Sequence, residues 1–126
     1  LAVEDDLVVQ RGVARAVAGE FAVSFADTAE AGLKELAGGG PLPVFVLLDF
    51  MLPDMDGVQV LQRLRADPKT RFLPVVVFSS VRDVRHIQAA LTAGANSWVV
   101  KRDDPQAFEE CVQAVCRYWM HLDVSS

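Results

Sequence analysis

Runs that are apolar throughout alternate along this chain with stretches in which apolar residues return every three or four positions. Leu1-Ala2-Val3 reads as the end of a strand whose first residues lie upstream. Val9, Val13 and Val17 follow at helical spacing over about residues 6 to 18, and Gly19 closes that stretch. Phe21, Val23 and Phe25 alternate as a strand. Asp27 or Thr28 then caps a helix that turns Ala29, Leu33 and Leu36 inward and ends at Gly38-Gly39-Gly40. Val44 to Leu48 is a fully apolar strand, and Gly57 to about Ala66 is a helix with Val60, Leu61 and Leu64 on its buried side. Pro74 to Phe78 is a second fully apolar strand. Asp83 caps the next helix, predicted to face inward with Val84, Ile87 and Leu91, and Gly94 stops it. Ser97 to Val100 is a short last strand. Asp104-Pro105 opens a final helix, on which Phe108, Cys111, Val112, Val115, Trp119 and Leu122 trace one face.

Five strands thus alternate with five helices. Strands that are apolar along their whole length suit the centre of a parallel sheet covered on both faces. Right-handed crossovers then place helices on both sides, which predicts a doubly wound α/β fold. With neither repeat nor linker in sight, residues 1–126 read as one domain.

Charge and composition narrow the class. Seventeen acidic against twelve basic residues leave a net charge of -5, and no basic stripe is present, so a nucleic-acid partner is not expected. The longest apolar runs, Pro41 to Leu48 and Leu73 to Phe78, are far shorter than a membrane span. A basic-then-apolar leader is not seen either, which points to a cytoplasmic protein. Cys111 and Cys116 stand five apart on one predicted helix, beyond disulfide reach, and read as packing residues in reducing surroundings.

Ligands of such sheets bind beyond the carboxyl ends of the strands. Glu4, Asp5 and Asp6 follow the first strand, Asp49 the third, Ser79 and Ser80 the fourth, and Lys101 the fifth. Each alone has an ordinary explanation, since acidic runs favour helix starts and a lone serine or lysine is common at a surface. Together, at the ends of four strands, they point to a site. Two carboxylates about 5 Å apart repel by roughly 3 kcal/mol at an effective dielectric of 20. Three carboxylates with one lysine therefore call for a hard divalent cation, and an all-oxygen set suits Mg²⁺. Mg²⁺ beside Lys101 suits a phosphoryl group, whose oxygens need charge neutralisation. Asp49 is then the best nucleophile, because it ends a central strand and precedes the tight turn Leu52-Pro53-Asp54-Met55-Asp56-Gly57. A flavin or nucleotide carrier would need a glycine- or hydroxyl-rich loop where the three carboxylates stand. A phosphatase would want a second acid–base at the position of Met51.

Val3-Glu4-Asp5-Asp6, Leu47-Leu48-Asp49, Leu52-Pro53-Asp54-Met55-Asp56-Gly57, Val76-Val77-Phe78-Ser79-Ser80, Ala93-Gly94-Ala95 and Val99-Val100-Lys101 together resemble a response-regulator receiver domain over essentially the whole chain. The resemblance implies a flavodoxin-like sheet of order 2-1-3-4-5. It implies that Asp49 is the phosphorylated residue, Asp5 a direct Mg²⁺ ligand, Glu4 an acidic partner acting through water, and the carbonyl of Met51 a third protein ligand. Ser79 matches the switch hydroxyl, Lys101 the phosphate-pairing lysine, and Trp98 the switch aromatic. Where the family usually has a cis proline after the lysine, Arg102 stands here, so a trans bond is expected.

The chain further resembles the small stand-alone receivers paired with phytochrome-type sensor kinases. The implied function is a phospho-accepting switch rather than a metabolic enzyme, served by a sensor histidine kinase. Its signalling surface would be the fourth helix (83–94), the fifth strand and the fifth helix. Met51 is expected to shade the attacking water. Tyr118, Trp119 and Leu122 suggest an apolar stripe for pairing with a second copy, the alternative being that they fold back onto the core. The rival reading is a receiver-like interaction module that is never phosphorylated.

Overall fold

A computed structural model describes residues 1–121. It resolves the alternation into β1 (Ala2–Val3), α1 (Leu7–Val17), β2 (Phe25–Ala26), α2 (Ala29–Ala37), β3 (Val46–Leu48), α3 (Gly57–Ala66), β4 (Val75–Ser79), α4 (Val84–Ala93), β5 (Ser97–Val100) and α5 (Pro105–Met120). The strands form one parallel sheet in the order β2-β1-β3-β4-β5, as expected. Apolar side chains of the central strands alternate between two faces. Val46, Leu48, Val75 and Val77 join Leu36, Val60, Leu61, Leu64 and Ala90 on one side. Leu47, Val76 and Phe78 join Val13, Val17, Val112 and Cys116 on the other. That two-sided burial is why both runs lack polar residues.

Helix starts follow the side chains that satisfy their free N–H groups. Asp6 accepts from Val8 and Val9, Thr28 from Ala31, Asp56 from Gln59, Asp83 from Arg85 and Asp104 from Ala107. Gly94 ends α4 in the left-handed region at φ 115°, where a Cβ would also meet the side chain of Arg65 at 2.7 Å.

Two expectations are corrected. The second strand is only Phe25–Ala26, because β1 offers a ladder of just Ala2 and Val3, while Phe21 still bonds back to the end of α1. In α4 the predicted inward stripe is rotated: Val84 is 63% and Leu91 45% exposed, and Ala90 is the buried residue. Ala90 belongs to the core cluster on that side of the sheet, with Leu61, Leu64 and Val77. Trp119 folds back and stacks on Phe45 with ring centroids 6.5 Å apart, whereas Tyr118 stays 61% exposed. Leu122 lies outside the described residues. Among the described residues no peptide bond is cis, that between Lys101 and Arg102 included, and no helix is long and apolar enough to cross a membrane.

Candidate functional site

The sheet ladder continues one residue past the strands, and this fixes the backbone of the site. Glu4 N–H donates to the carbonyl of Ala26 at 2.9 Å, Asp49 N–H to Val3 at 3.0 Å, and Lys101 N–H to Ser79 at 2.9 Å. Residues at the ends of β1, β3, β4 and β5 are thereby held side by side at the carboxyl end of the sheet.

Carboxylate oxygens of Glu4, Asp5 and Asp49 lie within 4.8 Å of one another. Glu4 and Asp49 are buried and Asp5 is exposed, so the group opens to solvent on one side. Lys101 Nζ donates to Glu4 Oε2 at 2.9 Å and stands 3.7 Å from Asp49 Oδ1. Asp49 Oδ1 also accepts the N–H of Met51 at 3.3 Å. Burial pushes the Glu4 carboxyl above its ordinary range despite the opposing bond from Lys101. It pushes the Asp49 carboxyl up as well, against the positive charge of Lys101. Three acids facing one amine, all oxygen donors and partly dehydrated, fit a hard divalent cation. Asp6, the third member of the acidic run, is taken up instead as the cap of α1.

Ser79 is buried at the end of β4, and its Oγ accepts the N–H of Val81 at 3.2 Å. The carbonyl of the same Val81 accepts the indole N–H of Trp98 at 3.1 Å. One residue in the β4–α4 loop, Val81, therefore links the predicted switch hydroxyl through its N–H to the predicted switch aromatic through its carbonyl. Trp98 packs on Phe50, the neighbour of Asp49, with centroids 4.9 Å apart. His86 of α4 lies edge-on to the same ring at 5.6 Å. Phe50 thus reaches from beside Asp49 across to α4. Met51 is exposed two residues beyond Asp49, beside a bridge between Met51 and Asp56 that closes the loop.

Sequence reasoning missed three supporting side chains. Gln10 donates to the carbonyl of Glu4 and to Asp27, and Asp54 accepts from the N–H groups of Ala29 and Glu30. Those two backbone bonds hold the Asp54 carboxyl below its usual range. At the opposite end of the sheet, Arg65 donates to the carbonyls of Thr70, Arg71, Leu73 and Gly94 and to Asn96 Oδ1.

The family described as "Response regulator receiver domain" matches residues 1–113. The Probable methanogenesis regulatory protein FilR2 of Methanothrix harundinacea is 34% identical over 86 residues, 66% of this chain and 54% of that protein. The match thus spans about half the length of that relative. The phosphorylated cyanobacterial phytochrome response regulator RcpA superposes with a TM-score of 0.92 at 24% identity, covering 98% of this chain and 94% of RcpA. The Mn²⁺-bound form of response regulator Rcp1 superposes with a TM-score of 0.87 at 23% identity, over 98% of this chain and 94% of its own. At these identities both structures attest to the fold.

Proposed function

The chain belongs to the response regulator receiver domain family, and on that premise we propose that it is a two-component switch phosphorylated on Asp49. The donor is the phosphohistidine of a sensor histidine kinase. An oxygen of Asp49 forms the new bond to phosphorus as the phosphorus–nitrogen bond breaks. The electron pair stays with the imidazole, which takes up a proton from solvent. Asp5, Asp49 and the Met51 carbonyl would hold Mg²⁺, with Glu4 acting through water; the ion supplies neutralisation of the phosphoryl oxygens. Lys101 turns from Glu4 toward the added phosphoryl group, whose charge and acceptor oxygens it pairs.

The added group also draws the Ser79 hydroxyl away from the N–H of Val81. Because Val81 holds Trp98 through its carbonyl, the indole and the face formed by α4, β5 and α5 respond. Met51 shades the acyl phosphate from water, and a Met51→Asn variant should dephosphorylate faster. That RcpA is a phytochrome response regulator favours a phytochrome-type kinase as the donor. Exposed Tyr118 supports pairing with a second copy.

The observation that carries this reading is the meeting of the Glu4, Asp5 and Asp49 oxygens within 4.8 Å beside Lys101. Incubation with acetyl phosphate and Mg²⁺ should add the mass of one phosphoryl group to the wild type and none to Asp49→Asn. A wild type that gains no mass, with the metal present, overturns the proposal in favour of an unphosphorylated interaction module.

A further inference from the structure

Two side chains outside the acidic pocket reach the same turn from opposite sides. Gln10, in α1, uses Nε2 to donate to the carbonyl of Glu4 at 2.6 Å and to Asp27 Oδ1 at 2.8 Å. Asp54, in the loop between β3 and α3, accepts the N–H of Ala29 on Oδ1 and that of Glu30 on Oδ2, both at 3.0 Å. Asp27 lies in the turn that joins β2 to α2, and Ala29 and Glu30 are the first two residues of α2, so all three stand where the chain enters that helix.

What each bond fixes follows from the chain around it. Glu4 and Asp5 share the peptide whose carbonyl Gln10 holds, so that bond sets the direction in which the acidic pair leaves β1. Asp54 lies in a loop already closed by the Met51–Asp56 bridge and by the N–H of Gly57 on the carbonyl of Phe50 at 2.7 Å. A loop closed in this way moves as a unit, and fixing Asp54 fixes Met51 with it. The N–H groups of Ala29 and Glu30 have no partner inside α2, so a carboxylate there is well satisfied and hard to displace.

We infer that the β2–α2 turn is the brace that positions the metal pocket, holding Glu4–Asp5 through Gln10 and the β3–α3 loop through Asp54. Gln10 and Asp54 are positioning residues, since each acts through others and neither belongs to the acidic trio. The inference rests on the reading of Glu4, Asp5 and Asp49 as a Mg²⁺ site.

Titration calorimetry of the chain with magnesium chloride alone tests it. Gln10→Ala and Asp54→Ala should each weaken Mg²⁺ binding by about tenfold, the usual effect of losing a partner that orients metal ligands. Asp54→Asn, which keeps an acceptor oxygen but loses the charge, should recover part of the affinity. Arg65→Met, which destabilises the far end of the sheet, should lower the Tm and leave Mg²⁺ affinity unchanged.

The brace is overturned if Gln10→Ala and Asp54→Ala bind Mg²⁺ as the wild type does, or if Arg65→Met weakens binding as much as they do. Equal binding by Asp54→Asn and Asp54→Ala would reduce the Asp54 effect to net charge and remove that half of the brace. Failure of the underlying reading looks different: the wild type itself would show no saturable Mg²⁺ binding, or Asp5→Asn would bind undiminished, and the positioning role would fall with it.

Discussion

Lys101 sits nearer to Glu4, at 2.9 Å, than to Asp49, at 3.7 Å, so the lysine pairs first with the acid at the end of β1. One amine cannot satisfy both buried carboxyls, and burial raises the proton affinity of each. An acid with a raised folded pKa stabilises the fold fully below its unfolded pKa. That contribution is lost as pH rises through the folded value. In the presence of chelator, resistance to urea should therefore increase as pH is lowered from neutrality toward about 5, just above the ordinary carboxylate range. Asp49→Asn should raise the Tm by about 4 °C, the shift that ~1 kcal/mol produces in a chain of this size. A Tm lowered by that substitution would contradict the argument.

Trp98 offers a direct readout of the loop. Trp98→Phe keeps a ring against Phe50 but loses the N–H that Val81 accepts, a change expected to cost about 1 kcal/mol in urea unfolding. With Trp119→Phe removing the other indole, emission from Trp98 should change when Asp49 is phosphorylated by acetyl phosphate. Emission that stays constant at full phosphorylation would show that Val81 does not carry the response.

Arg65 joins α3 to the loops before β4 and β5 through backbone carbonyls, with burial drawing its pKa below the usual value. Arg65→Met leaves several carbonyls without a donor and should cost about 3 kcal/mol in urea unfolding. Arg65→Lys should restore little of this, because an ammonium cannot match the planar fork that reaches two loops at once. Full recovery by lysine would show that charge alone matters.

Cys116 is buried between α1, α5 and the sheet, and burial pushes its thiol up to about 11. Iodoacetamide at neutral pH should therefore leave it unmodified in the folded chain and modify it in urea. Peptide mass mapping checks this; rapid labelling of Cys116 without denaturant would mean that α5 opens locally.

The fold was legible because Val46–Leu48 and Val75–Val77 carry apolar residues on both faces, a pattern that a sheet covered on one side does not need. The acidic trio, Ser79 and Lys101 stood out because each follows a strand directly, and parallel strands bring such positions together. Gln10, Asp54 and Arg65 gave no comparable signal. Most of their partners are backbone N–H and carbonyl groups, which no residue letter marks, and many lie far along the chain, 25 residues away for Asp54 to Ala29 and 29 for Arg65 to Gly94. The orientation of α4 differs from the expectation because Val84 and Leu91 outweigh Ala90 on hydropathy, while the helix turns Ala90 to the core.

The central strands divide the interior into two compartments that share a wall of backbone and exchange no side chains. Phe50 and Ala90 lie in one, with Trp98 packed against it; Val13, Val112 and Cys116 lie in the other. A movement of α4 against β5 acts directly on the first, whereas the buried residues of α1 belong to the second alone. One flank of the molecule can change shape while the opposite flank offers the same outline to whatever is docked there.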